Sequence, residues 1–177
     1  MARRSLAAGV ATGRALDVDP RDFSDALAEI GASFVTIRID AELRGCIGTI
    51  EASEPLVVDV ARNAFKAGFR DPRFPPIDAR DLDRIDLQIS VLSPLEPLGL
   101  TTAAELVTRL APGRDGVLIR QGDRSGTFLP AVWREIPDPV RFLRHLEHKA
   151  GIRETKRPAE FYAWRYSAET IGGAEPQ

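Results

Sequence analysis

The alternation of apolar and polar residues predicts three strands in the first half of the chain. Residues 33–39 alternate between two faces, which is typical of a half-buried strand. A short polar turn at 40–42 separates them from residues 43–50, so we expect the two segments to pair as a hairpin. Residues 85–92 alternate most regularly, with apolar side chains on one face only.

Helical spacing of apolar residues predicts three helices in the same half. An alanine-rich segment at 2–13 indicates a loose first helix, and residues 22–30 indicate a second that ends before Gly31. Residues 56–70 predict the most apolar helix, because its polar residues fall within an arc of roughly 100°. These polar residues are Asp59, Arg62, Asn63, Lys66 and Arg70. Most of this helix is therefore predicted to be buried.

The second half of the chain repeats this mixture less regularly. We predict a helix at 101–110 with Thr101 or Thr102 as its N-cap, and a helix at 139–150 between an Asp-Pro pair and a glycine. The predicted strands are residues 117–121, 127–129 and 161–167. Because hairpins join most strands, we expect an α+β fold with antiparallel pairing. Without a low-complexity linker, residues 1–177 are predicted to form a single domain of two interlocked lobes, about 14–98 and 99–170.

Charge and composition exclude several classes of protein. The 177 residues carry a net charge of −2, so no strong field attracts nucleic acid or an anionic membrane. No segment approaches the ~20 apolar residues of a membrane span. The apolar run after Arg3 and Arg4 is too short for a signal peptide, and we therefore expect a cytoplasmic location.

Few side chains are available for a metal or a cofactor. His145 and His148 are spaced to share a helix face, but no third ligand accompanies them, so we expect both on the solvated surface and predict no metal site. Neither a P-loop nor a dinucleotide-binding glycine motif is present, and no cofactor is predicted.

Residues 43–49, with the sequence LRGCIGT, form the most unusual segment. Gly45 and Gly48 flank Cys46, the only cysteine, within a predicted strand. Glycine weakens a strand interior, so a pair of them indicates that another group approaches the backbone closely. Arg44, two residues away on the same strand, is predicted to point to the same face as Cys46. Cys46 could then be a nucleophilic or redox thiol, since a guanidinium favours the thiolate. The alternative is a small buried apolar side chain, which is what most free cysteines are.

The segment Arg73-Phe74-Pro75-Pro76 is the second candidate site. An arginine and an aromatic side chain on a proline-stiffened backbone form a preorganised recognition surface. Alternatively, Phe74 fills the core and the prolines only end the preceding helix.

Together, LRGCIGT and the segment 71–76, about two dozen residues later, resemble the AMMECR domain family. The resemblance continues through residues 89–93, 116–119, 126–130 and 149–151, and so covers nearly the whole chain. It implies two β/α repeats that share one curved, mostly antiparallel, barrel-like sheet flanked by helices. It also implies gene neighbours that encode a Memo-like protein and a radical-SAM protein, but no settled reaction. One departure is Ala131, where family members often carry glutamine.

Two functions follow as hypotheses. In the first, the chain is a small enzyme acting on an anionic or peptidic substrate, with Cys46 as reactive thiol and Arg44 binding the anion through paired hydrogen bonds. The residues predicted to contact the ligand or partner are Arg44, Gly45, Gly48, Thr49, Arg73 and Phe74. In the second, the same surface is a non-catalytic module that docks a partner protein.

Overall fold

The computed structural model describes residues 1–99, 102–152 and 161–173. Its α-helices are α1 (Ala2–Thr12), α2 (Asp25–Ala28), α3 (Leu56–Phe69), α4 (Ala103–Arg109) and α5 (Pro139–Ala150). Its strands are β1 (Ile30–Ile39), β2 (Glu42–Gly48), β3 (Glu54–Pro55), β4 (Ile85–Leu92), β5 (Glu96–Pro97), β6 (Gly116–Gln121), β7 (Arg124–Phe128), β8 (Phe161–Tyr166) and β9 (Ala168–Gly172). The chain divides into unit 1, residues 1–92 with the segment from 169 onward, and unit 2, residues 93–168.

Unit 1 contains a sheet in the order β2-β1-β4-β9, and β3 pairs with the start of β1. In the antiparallel β1–β2 hairpin Thr36 faces Cys46 and Ile37 faces Gly45, but Arg38 faces Leu43. One residue of β2 is thus left without a partner, which makes this position a β-bulge. The strand that carries LRGCIGT lies at an edge of its sheet.

One face of β1 and the helices α1 and α3 enclose the core of unit 1. Val35 and Ile37 are fully buried and pack with Ala64 of α3 and Leu6 of α1. These side chains are the apolar positions of the predicted strand and helix. The patterning of unit 1 therefore places α3 against the face of the sheet that Val35 and Ile37 define.

Unit 2 has its own sheet, in the order β5-β8-β6-β7, with antiparallel pairing. Ile119 of β6 is buried with Phe142 of α5 and Trp133. The Trp133 and Phe142 rings stack with their centroids 3.7 Å apart. The Trp133 indole donates a hydrogen bond of 2.7 Å to the Asp115 carbonyl, so its one polar group is satisfied in the core.

The predicted α+β class with antiparallel strands is confirmed. The strands form two open sheets, one in each unit, whereas the family resemblance implied one shared barrel-like sheet. Among the described residues, no strand is hydrogen-bonded to strands of both sheets. The strand pairing therefore does not form a closed barrel. No helix of this described part is long and apolar enough to cross a membrane.

The predicted helix at 22–30 is wrong. Residues Pro20–Asp22 form a 3₁₀ turn, α2 has a single turn, and Ile30 and Gly31 already belong to β1. The reason is tertiary, because these two residues pair with β3. The strand β9 was also missed, since the predicted last strand stopped at Ser167.

The predicted helices in the second half are confirmed with their caps. Thr102 accepts a hydrogen bond from the Glu105 amide at the start of α4, whereas Thr101 lies outside the described residues. Asp138 caps α5, and Gly151 ends it in the left-handed conformation. Local capping chemistry was sufficient to place both helices.

Candidate functional site

The backbone of Cys46 is held by side chains rather than by another strand. Its amide donates a hydrogen bond of 2.9 Å to Oδ2 of Asp71, and its carbonyl accepts one of 3.2 Å from Nη2 of Arg73. These are the outward groups of an edge strand, which would otherwise face solvent or another strand. The loop after α3 therefore fixes Cys46 at both of its main-chain polar groups.

Asp71 and Arg73 form a bidentate ion pair. Nε and Nη2 of Arg73 donate to Oδ1 and Oδ2 of Asp71 at 2.9 and 2.7 Å. The Asp71 side chain is only 2% exposed, whereas that of Arg73 is 54% exposed. The Arg73 hydrogen bonds hold the pKa of Asp71 well below its usual range, and the Cys46 amide adds to this effect against the opposing influence of burial. The site thus has a buried anion at its base and a cation at its surface.

The same loop places an aromatic ring beside this cation. The guanidinium of Arg73 lies 5.2 Å from the centre of the half-buried Phe74 ring, within the range of a cation–π contact. The Phe74 amide donates to the Asp71 carbonyl at 3.2 Å. The structure therefore brings Arg73 and Phe74 together with Cys46, a relationship that sequence spacing alone did not establish.

The Cys46 thiol lies on the face of the sheet opposite to the α3 core. Thr36, its partner across the hairpin, donates a hydrogen bond from Oγ1 to Sγ over 3.4 Å. The adjacent Ile37 and Gly45 form the pair that faces α3. Cys46 is half-buried, so its thiol is neither sealed in this core nor carried on a loop tip.

The two glycines of LRGCIGT are explained by packing inside the protein. A Cβ at Gly45 would lie 2.1 Å from the carbonyl oxygen of Ala67 in α3, and a Cβ at Gly48 would lie 2.2 Å from Cγ of Phe34. The close approach predicted from sequence is present, and the approaching groups belong to the chain itself.

Arg44 is the unpaired residue of the β-bulge. The bulge interrupts the strand alternation from which a shared face with Cys46 was predicted. Arg44 is half-buried, and its guanidinium forms no hydrogen bond or ion pair with any residue of the three described ranges. The cation whose side chain donates to the Cys46 backbone is therefore Arg73.

Thr49, at the end of the motif, belongs to a buried polar network. The Asn63 amide nitrogen donates to Thr49 Oγ1 at 3.1 Å, to the Ser33 carbonyl at 3.1 Å and to Asp59 Oδ2 at 3.0 Å. The Ser33 hydroxyl donates to the same Asp59 oxygen at 2.6 Å. These contacts tie α3 to β1 and to the end of β2.

Four of these residues were missed as site components: Ser33, Asp59, Asn63 and Asp71. Asp59 and Asn63 were counted with the polar arc of α3, yet both are 1% exposed. Their spacing of four residues in an otherwise apolar helix is the signal that could have paired them. Within the described residues, no group of three or more histidine, cysteine or acidic side chains could hold a metal ion, and His145 and His148 are exposed.

A two-unit α+β protein with this motif at a sheet edge matches a known family. The AMMECR1 family model matches residues 1–171, and the chain belongs to that family. A Methanopyrus kandleri protein is 37% identical over 156 residues, which are 86% of this chain and 74% of its own. A Thermotoga maritima protein is 34% identical over 160 residues, covering 89% of this chain and 86% of that one.

The fold is also that of a solved structure. The crystal structure of a Pyrococcus horikoshii protein matches with a TM-score of 0.83 and 30% identity, and the match covers 96% of this chain and 86% of that chain. That protein is described as uncharacterised. Family membership therefore establishes the fold and leaves the reaction to be argued from the site.

Proposed function

We propose that this protein is a small thiol-dependent enzyme with Cys46 as its reactive group. One observation carries the proposal: Asp71 and Arg73 bond both backbone polar groups of Cys46. An edge strand can be protected without such a contact, for example by exposed charges. A reactive thiol must be held in a defined position, and these two side chains hold the backbone of Cys46.

The surrounding side chains support this assignment. The Arg73 guanidinium lies beside the Cys46 backbone, where it donates to the carbonyl, and reactive cysteines typically lie in partly exposed sites next to cations. The Thr36 hydroxyl donates a hydrogen bond to the sulfur, which orients the thiol. In this proposal Cys46 acts as a nucleophile or a redox group.

Arg44 supports a small anionic or peptidic substrate. A half-buried guanidinium without a partner among the described residues can bind a carboxylate or phosphate through two parallel hydrogen bonds. Arg73 is less suited to this role, because Asp71 already occupies two of its nitrogen atoms. In this proposal Arg44 binds the anionic group and Cys46 performs the chemistry.

Alkylation of Cys46 by iodoacetamide at neutral pH tests the proposal. We expect the folded protein to react faster than the same protein unfolded in urea, and Thr36→Val to react more slowly than the unmodified chain. Thr127→Val, which removes a hydroxyl from unit 2, is the matched control and should not change the rate. A cysteine that is labelled only after unfolding would exclude a reactive thiol.

A non-catalytic adaptor is the second candidate, favoured by the exposed loop at 72–76. Pro72, Arg73, Pro75 and Pro76 are exposed, and the Asp71 carboxylate accepts a hydrogen bond from the Arg73 amide within this segment. The family resemblance suggests a Memo-like or radical-SAM protein as partner in the cytoplasm. Co-purification with a Memo-like protein that Phe74→Ala abolishes and Cys46→Ser preserves would favour the adaptor. Arg80→Ala, an exposed arginine paired with Asp78, is the control.

A further inference from the structure

A polar cavity of about 210 Å³ lies within unit 2, and the proposed function does not use it. Its charged lining consists of Glu96, Arg114, Asp115 and Arg165, accompanied by the hydroxyl residues Ser93 and Ser167. Sites for drug-sized ligands usually span roughly 300–1,000 Å³ and are mainly apolar. The size and the lining of this cavity therefore suit a ligand of a few polar atoms.

The first ion pair of the cavity joins β5 to β8. Nε and Nη2 of Arg165 donate to the two carboxylate oxygens of Glu96 at 2.9 and 2.6 Å. Glu96 and Arg165 face each other in the strand register, so the backbone supports their contact. Each Glu96 oxygen uses one of its lone pairs in this bond and keeps acceptor capacity for another donor.

The second ion pair is built on a buried carboxylate. Asp115 accepts hydrogen bonds from Nε of Arg114 and from the Ala111 amide, each at 2.9 Å. Its side chain is only 5% exposed, whereas that of Arg114 is 67% exposed. Only Nε of Arg114 bonds any described residue, so its terminal NH₂ groups are open at the cavity.

The two ion pairs are close enough to influence each other. The pKa of Glu96 is lowered mainly by its hydrogen bonds from Arg165, and the charge of Arg114 contributes to the same shift. Likewise, Asp115 adds to the raised pKa of Arg165, of which Glu96 is the main cause. Because all four charged side chains line the same cavity, one small ligand can contact both pairs.

One part of the cavity lining is held by hydrogen bonds between residues 93 and 167. The Ser167 amide donates to Oγ of Ser93 at 2.9 Å, and the Ser93 amide donates to the Ser167 carbonyl at 3.0 Å. These bonds extend the pairing of Glu96 with Arg165 toward the end of β8.

We propose that this cavity binds a small zwitterion with one carboxylate and one ammonium group, the chemistry of a free amino acid. The carboxylate accepts hydrogen bonds from the open NH₂ groups of Arg114, and the ammonium donates to Glu96. The two arginines and two carboxylates of the site have no net charge. A simple anion would be repelled by the carboxylates, and a simple cation would be repelled by the arginines. A ligand with both charges meets an opposite charge at each end.

The test is an NMR titration of the isotope-labelled full chain with glycine, acetate and methylamine at matched concentrations. We expect glycine to cause saturable shifts in the amide signals of Ser93, Arg114 and Ser167, and in the Nε–H signal of Arg165. Acetate and methylamine should bind more weakly. The absence of saturable glycine shifts, or acetate binding as tight as glycine binding, would overturn the proposal.

Two variants remove charges of opposite sign from the same cavity. Arg114→Ala should weaken glycine binding roughly tenfold, because it removes a charge-assisted pair of hydrogen bonds. Arg144→Ala, an exposed arginine of α5, is its control and should bind as the unmodified chain does. Glu96→Gln should weaken glycine binding and strengthen acetate binding, because Arg165 then loses its carboxylate partner. Equal glycine affinity in Arg114→Ala and Arg144→Ala would contradict the proposed site.

Discussion

Oδ2 of Asp71 lies 2.9 Å from the backbone nitrogen of Cys46, and the same carboxylate is bound by Arg73 on both of its oxygens. The two conspicuous segments of the sequence, LRGCIGT and the proline-rich loop, are therefore connected through one buried acid. This relationship makes Asp71 the residue whose removal affects both segments at once.

Asp71→Asn should lower the free energy of unfolding by about 2 kcal/mol at neutral pH, since it removes charged hydrogen bonds to Arg73 and Cys46. The pKa of Asp71 is lower in the folded protein than its ordinary value of 3.8. Its stabilising contribution is thus present above pH 3.8 and is lost as the pH falls further toward the folded pKa. Urea unfolding of both proteins across this range, followed by circular dichroism, measures the effect.

The control for that experiment is Asp78→Asn. Asp78 pairs with Arg80 at 2.6 Å, but both side chains are largely exposed. Exposed ion pairs contribute little to stability. A loss in Asp78→Asn as large as that in Asp71→Asn would show that burial of the Asp71 carboxylate is not the cause.

Gly45→Ala should destabilise unit 1 by about 3 kcal/mol, because the new methyl group would overlap the backbone carbonyl of Ala67. Gly48→Ala meets the Phe34 ring instead, which is a side chain. Truncation of Phe34 to leucine should therefore reduce the cost of Gly48→Ala without changing that of Gly45→Ala. Circular dichroism during urea unfolding distinguishes the two cases. If Phe34→Leu restored the stability of Gly45→Ala as much as that of Gly48→Ala, the backbone contact of Gly45 would be refuted.

Asn63→Ala should cost about 2 kcal/mol, since it removes the buried hydrogen bonds that Asn63 donates to Ser33, Thr49 and Asp59. The Ser33 carbonyl keeps its bond from the Thr49 amide, and Asp59 keeps its bond from the Ser33 hydroxyl. Arg62→Ala, at the next position of α3, removes only an ion pair between Arg62 and Glu54 and should have a much smaller effect. Hydrogen exchange of the β1 amides gives a second measurement. Equal protection of these amides in both variants would contradict the role of Asn63.

The Tyr166 hydroxyl should ionise at a higher pH than that of an exposed tyrosine. Burial raises the pKa of its hydroxyl from 10.0 to about 12, although a hydrogen bond with Thr127 opposes the shift. Because the folded pKa is raised, the stability that Tyr166 contributes is intact below pH 10.0 and is lost as the pH rises through about 12. The difference in phenolate absorbance between the unmodified chain and Tyr166→Phe should develop near that higher pH. A difference complete at pH 10 would show that Tyr166 is solvated.

Local patterns predicted the parts of the fold that depend on neighbouring residues. The β1–β2 hairpin, α3 and α5 followed from periodicity, turn residues and caps. The helix predicted at 22–30 was wrong because strand pairing with β3 outweighed the helical spacing of a short segment. The terminal strand β9 carries no clear alternation and was missed for that reason.

The sequence drew attention to some residues of the candidate site but did not show the contacts between them. Gly45 indicated a close backbone approach, but the approaching atom belongs to Ala67, which sequence spacing does not place. Asp59 and Asn63 were grouped with exposed residues of α3, because periodicity cannot recognise a polar side chain whose partners lie on another strand. Asp71 belongs to a segment that was noticed, but its contact with Cys46 depends on the tertiary fold.

The position of Trp133, stacked on Phe142 in unit 2, has a practical consequence for fluorescence measurements. The chain contains two tryptophans, and both of them, Trp133 and Trp164, belong to unit 2. Intrinsic tryptophan fluorescence therefore reports on the surroundings of these two side chains and on the unfolding of that unit. The unit that carries Cys46 has no indole, and a tryptophan introduced there would provide a separate optical signal for each half of the protein.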